Sequence, residues 1–201
     1  IAALLGAERV LTATVTSAVG RRAAGDIVLE KLRGVGVACG HPLSEALVEA
    51  LGRAGLQPRL YANAASLKWS KMLTNLLANA SSAILGMPPE EIFKLPGLFA
   101  LVVRQVREAL AVMRAQGIAV CDLPGTPVRL LAWMFSALPL GLARPLMART
   151  LGKGRGGKMP SFYLDMQSGS GKSEVEYLNG AVARTAQRLG MEAPVNQALN
   201  E

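Results

Sequence analysis

Residues 68–84 read KWSKMLTNLLANASSAI, and Lys71, Asn75 and Asn79 recur in them at intervals of four. A helix turns about 100° per residue, so this spacing predicts a polar stripe along one side of a helix. Trp69, Met72, Leu73, Leu76, Leu77, Ala78 and Ala80 occupy the other sides and read as core. The stripe is either the solvated face of a surface helix or a face turned toward something that needs one ammonium and two amides. Asparagine disfavours mid-helix positions because its side chain competes for backbone hydrogen bonds. A merely solvated face draws more on Glu, Lys, Gln or Arg.

Upstream of this helix the texture changes. VLTATVTSAV (10–19) is rich in β-branched residues and predicts a strand with its exit loop. DIVLEKL (26–32) and VGVACG (35–40) flank Arg33-Gly34 and predict a hairpin. PLSEALVEALGRAG (42–55) has helical spacing, with Pro42 near its start and Gly55 at its end. LQPRLY (56–61) follows as a short strand, and Pro58 assigns it to a sheet edge.

Downstream the sequence predicts only helices. Asn63 suits an N-cap, and the first helix should run to about Leu85, stopping at Gly86 and Pro88-Pro89. Residues 96–117 form a second helix between Pro96 and Gly117, and Thr126-Pro127 open a third. Residues 152–160, GKGRGGKMP, read as a basic Gly-rich loop in which Lys153, Arg155 and Lys158 either attract an anion or are simply solvated. Ser173 and Glu176 have capping-box spacing and start a helix to Gly190; Pro194 opens a last one.

With 201 residues, just over half of them hydrophobic at 51%, the chain can build a substantial core. The net charge of +8 favours anionic partners. Nucleic acid is not among those expected, since the basic residues are scattered and not interleaved with aromatics. Cys39 and Cys121 have neither zinc nor disulfide spacing, which predicts a reducing cytoplasm. His41 is the only histidine, so no multi-histidine metal site is expected. The longest apolar run, residues 130–143, falls short of the roughly twenty needed to span a bilayer and is interrupted by Pro139. A buried or interface helix is expected there, with no stable membrane insertion. The opening IAALLGAERV begins inside a helix-like run and suggests a fragment lacking its upstream part.

Two motifs tempt and fail. GSGKS (169–173) resembles the end of a phosphate-binding loop, but Met166 stands where the first glycine belongs. GVGVACG (34–40) is spaced G-x-G-x-x-x-G inside a predicted hairpin, so it is not a dinucleotide fingerprint. Ser161, Asp165 and Glu174 form a second polar cluster within PSFYLDMQSGSGKSEVEYLNG (160–180). Taken alone, Glu174 reads as a charge favoured at a helix start.

Together, K-x-x-x-N-x-x-x-N on the first helix after an α/β half, PSFYLD some ninety residues later, and then GKSEVEYLNG resemble the ketopantoate reductase (2-dehydropantoate 2-reductase) family. The resemblance implies an α/β then all-α fold. Residues 1–62 would be the C-terminal part of a Rossmann-type NADP-binding domain. Residues 63–201 would be a helical domain of the 6-phosphogluconate dehydrogenase C-terminal type, binding substrate and carrying catalysis. It implies Lys71 as catalytic lysine, Asn75 and Asn79 lining the substrate and nicotinamide site, and Ser161 holding substrate. Glu174 would lie near cofactor and substrate with a catalytic role, and Asp165 belongs to the same motif. The backbone of Ala18, in TVTSAV, would touch the cofactor.

The resemblance further implies NADPH as cofactor, a small 2-oxo acid as substrate, and allows a homodimer. The Gly-rich phosphate loop would lie upstream, so this chain alone should bind NADPH poorly. The alternatives are a paralogue acting on another 2-oxo acid, or a non-catalytic helical module that makes contacts through residues 130–151.

Overall fold

A computed structural model describes residues 1–155, 159–160, 162–163, 167 and 174–201. The chain divides into two compact units, Ile1–Lys71 with Ala119–Arg129, and Met72–Ile118 with Leu130–Glu201.

The first unit opens with a short helix α1 (Ala2–Leu5) and a 3-10 turn, and is built on a three-stranded mixed sheet. β4 (Val35–Ala38) lies in the middle, antiparallel to β1 (Ala13–Val15) and parallel to β5 (Pro58–Tyr61). Helix α2 (Ser44–Arg53) makes the crossover between the two parallel strands, a βαβ unit that fits a Rossmann-type sheet. All four residues of β4 are buried, as the central strand of such a sheet should be. Pro58 sits on the edge strand, where its missing N–H costs least.

The expected hairpin around Arg33-Gly34 does not form. β3 (Asp26–Lys31) pairs instead with β2 (Ala18–Ala23), through a turn at Ala24-Gly25 in which Gly25 has φ 78°. Gly34 has φ 132°, and a Cβ there would come within 2.4 Å of the Gln57 carbonyl oxygen. It therefore serves as the sharp entry to β4 and not as a hairpin turn.

The second unit is helical. Helix α3 (Ala64–Leu76) leads into it, followed by α4 (Asn79–Leu85), α5 (Pro89–Lys94) and α6 (Pro96–Ala115). Then come α7 (Val128–Ala137), α8 (Leu140–Arg155), α9 (Val175–Arg188) and α10 (Pro194–Ala198). The long α6 is the hub, packing on α5, α8, α9 and α10, and its buried side chains include Phe99, Val102, Val103, Val106 and Met113. Phe99 meets Phe93 of α5 edge-on, with ring centres 6.3 Å apart.

The apolar run 130–143 is interrupted at Pro139, as expected, and is shared between α7 and α8. One expectation fails here for a tertiary reason. α8 then continues through Pro145 to Arg155, so the first residues of the predicted Gly-rich loop are helical. Ala143 and Met147, one turn apart and fully buried, anchor α8 and outweigh the single backbone bond Pro145 cannot make. Among the described residues no helix is long and apolar enough to cross a membrane.

Candidate active site

α3 starts where the sequence predicts. Asn63 caps it, its side-chain oxygen accepting the Ser66 N–H at 2.9 Å. Lys71 and Asn75 lie one turn apart on this helix, both half-buried. The helix ends at Leu76, and Ala78, with φ −158° and ψ −4°, breaks the repeat before α4 begins at Asn79. Asn79 therefore does not continue the stripe. It is the first residue of α4 and only 6% exposed. Thr74, Asn75 and Asn79 all have weak helix preference, so burial of Leu76, Leu77, Ala78 and Ala80 sets the backbone course.

Ala18 is half-buried, the first residue of β2, paired with Lys31. The turn before it is tightly held. The Ser17 hydroxyl accepts the Arg33 and Gly34 N–H groups, each at 3.0 Å. Glu174 is exposed at the N-cap of α9 with no side-chain bond to the helix backbone, and its carbonyl accepts the Tyr177 and Leu178 N–H groups. Ser161, Asp165 and Ser173 lie outside the described residues. The Glu176 carboxylate pairs with Arg184 and accepts from Asn200, while Ser173, the other half of the expected capping box, is the member outside the described residues.

Neither strand-to-helix turn of the first unit is built to cradle a dinucleotide phosphate. Residues 39–43 carry a single glycine, Gly40, and residues 62–63 carry none. In residues 34–40, Gly36 lies within β4 with the Leu67 and Tyr61 side chains against it. His41 is structural. Its Nδ1 accepts the Leu43 N–H at 3.1 Å, which leaves Nε2 to donate to the Glu8 carbonyl at 2.9 Å.

Residues 119–125 make contacts that their sequence does not announce. Tyr61 donates its hydroxyl to the Asp122 carbonyl at 2.8 Å, and the fully buried Ser70 hydroxyl accepts the Cys121 N–H at 2.9 Å. Burial pushes the Tyr61 pKa up, opposed by the Arg59 guanidinium stacked over its ring. The available signals were weak: a serine inside an apolar helix, and DLPGTP (122–127), a turn sequence with no obvious place to dock.

A cavity of about 620 Å³ lies between α9 and α10, lined by Arg184, Gln187, Met191, Gln197 and Asn200 among others. Among the described residues, the predicted site residues Ala18, Lys71, Asn75, Asn79 and Glu174 do not line it.

The family described as ketopantoate reductase PanE/ApbA C terminal matches residues 63–201. The chain belongs to this ketopantoate reductase family. A 2-dehydropantoate 2-reductase of Pyrobaculum aerophilum is 30% identical over 169 residues, covering 84% of this chain and 53% of that relative. The chain thus spans about half the length of the curated relative it matches. A PanE/ApbA family ketopantoate reductase from Ralstonia eutropha superposes with a TM-score of 0.73 at 24% identity, over 94% of this chain and 56% of that one. A D-mandelate dehydrogenase solved with NADH gives 0.73 at 19%, over 96% of this chain and 65% of that one. These likenesses fix the fold as a Rossmann-type part followed by the family's helical part.

Proposed function

We propose that this chain carries the catalytic part of an NADPH-dependent reductase converting 2-dehydropantoate (ketopantoate) to pantoate, in cytoplasmic pantothenate and coenzyme A biosynthesis. On this reading residues 1–62 close the Rossmann domain and residues 63–201 form the catalytic domain. The observation that carries it is the family match over residues 63–201, which encloses Lys71, Asn75, Asn79, Ser161, Asp165 and Glu174.

On this reading the chain meets the cofactor through the backbone of Ala18, next to the turn that the Ser17 hydroxyl holds. When bound, the nicotinamide supplies hydride to C2 of the 2-oxo acid. As the C–H bond forms, the carbonyl π pair moves onto oxygen. Lys71 balances that charge and gives its Nζ proton to the oxygen, leaving a hydroxyl and a neutral amine that water reprotonates. General acid help of this kind is worth roughly 10²–10⁴-fold. Asn75 and Asn79 orient substrate through donors and acceptors without adding charge. Ser161 and Asp165 bind the substrate, and Glu174 takes a catalytic and cofactor-binding role.

A second reading, reduction of another 2-oxo acid, is supported by the fold shared with a D-mandelate dehydrogenase. The test is NADPH oxidation by the full-length gene product with ketopantoate, comparing wild type and Lys71→Ala. The mutant should lose about 10²–10⁴ in kcat and keep its melting temperature. A folded, NADPH-binding wild type with no turnover rejects ketopantoate and moves the assay to other 2-oxo acids. Turnover unaffected by Lys71→Ala removes Lys71 from the chemistry.

A further inference from the structure

Residues 119–126 leave α6 after Gly117 and return to α7, yet they belong to the first unit. At their tip Leu123 and Thr126 exchange backbone hydrogen bonds at 3.0 and 2.9 Å around Pro124-Gly125. Gly125 has φ 64°, and a Cβ there would come within 2.9 Å of the Arg33 Cβ. This tight Pro-Gly turn is seated on a corner of the sheet, with Pro124 against Gly34.

Three hydroxyls from three different places hold the segment. The Thr16 hydroxyl, just after β1, reaches the Pro124 carbonyl at 2.9 Å and also lies 3.0 Å from the Gly34 carbonyl. Tyr61, ending β5, donates to the Asp122 carbonyl. Ser70, inside α3, accepts the Cys121 N–H. Two of these anchors adjoin residues that the proposed function gives a role. Ser70 precedes Lys71, and Thr16 stands two residues before Ala18. The direct tie from α3 to β1, Lys68 Nζ to the Ala13 carbonyl at 2.7 Å, is exposed to solvent, whereas Ser70 is wholly buried.

We propose that residues 119–126 are a positioning strap. Through Ser70 and Tyr61 it holds the Lys71 turn of α3 in fixed register with the cofactor-side turn at Thr16. Ser70 and Tyr61 are positioning residues that touch neither substrate nor cofactor. The inference rests on the proposed reductase function, because it assigns the strap a share in the rate and not only in stability. Misplacing a reacting group by about 1 Å can cost on the order of 10²-fold.

The experiment uses the full-length protein with two variants, Ser70→Ala and Tyr61→Phe. The second removes one hydroxyl with almost no loss of packing, and decides the matter if the first does not fold. Two quantities are read well below the melting temperature: steady-state kinetics, and hydrogen exchange of the α3 amides around Lys71. The strap predicts kcat lower by about 10- to 100-fold with KM nearly unchanged. It also predicts exchange about tenfold faster in that turn. Faster exchange with unchanged kcat makes the segment purely structural and overturns the proposal, as does unchanged exchange in both variants. A wild type that reduces no 2-oxo acid sinks the functional reading, and the strap's catalytic role with it, whatever the exchange shows.

Discussion

At Tyr61 a single proton decides whether a hydrogen bond exists. The phenol donates to the Asp122 carbonyl, and a phenolate cannot. Burial raises the pKa in the fold, so folding favours the protonated form. The stabilisation is therefore complete below the ordinary tyrosine value of about 10 and is lost as pH rises through the higher folded value. The melting-temperature gap between wild type and Tyr61→Phe should be constant near neutrality and should shrink as pH rises above about 10. A gap that stays constant there would assign the loss to packing. Other single residues were more legible. Asn63 and Gly86 were readable as cap and stop because their conformational preferences act locally, and the structure uses both so. Tyr61 and Ser70 were not, since their partners are 61 and 51 residues away in sequence.

Among the elements, the five-residue α10 depends on a neighbour more than on itself. Both carboxylate oxygens of Glu108, on α6, accept N–H groups from its first turn, Val195 and Asn196, each at 3.0 Å. The Asn196 amide adds a bond to Glu108 and one to the Gln105 carbonyl, while its oxygen accepts from Asn179 of α9. A carboxylate at a helix N-terminus also complements the helix dipole. Glu108→Ala should cost about 2–3 kcal/mol, measured by urea unfolding. A loss within about 0.5 kcal/mol, as for an ordinary surface change, would show that water replaces the carboxylate. The opposite end of a helix receives similar help, for Arg107 donates to the carbonyls of Phe135 and Leu138 where α7 finishes. Helix boundaries set by Pro and Gly were legible. The break at Leu77-Ala78, the passage of α8 through Pro145 and the β2–β3 pairing were not. Each is decided by burial or strand partnering that no local window contains.

Over the whole molecule the net charge is +8, and the proposed substrate is an anionic acid. Steering by such a field weakens as salt shortens the screening length. kcat/KM for the 2-oxo acid should fall steadily across a potassium chloride series while kcat holds. A flat series would mean the charge serves something other than substrate capture. That an α/β part precedes a helical part was readable from the change of texture along the chain. That the first unit takes back Ala119–Arg129 was not, because the turn sequence DLPGTP carries no sign of the surface it docks on. Their placement has a consequence for biogenesis. On the ribosome, the sheet and α3 emerge long before residues 119–129 do. Until then the carbonyl-binding hydroxyls of Thr16 and Tyr61, and the Ser70 hydroxyl that awaits an N–H, have no strap to bind. The first unit, although first in sequence, can be finished only after α6 has been translated.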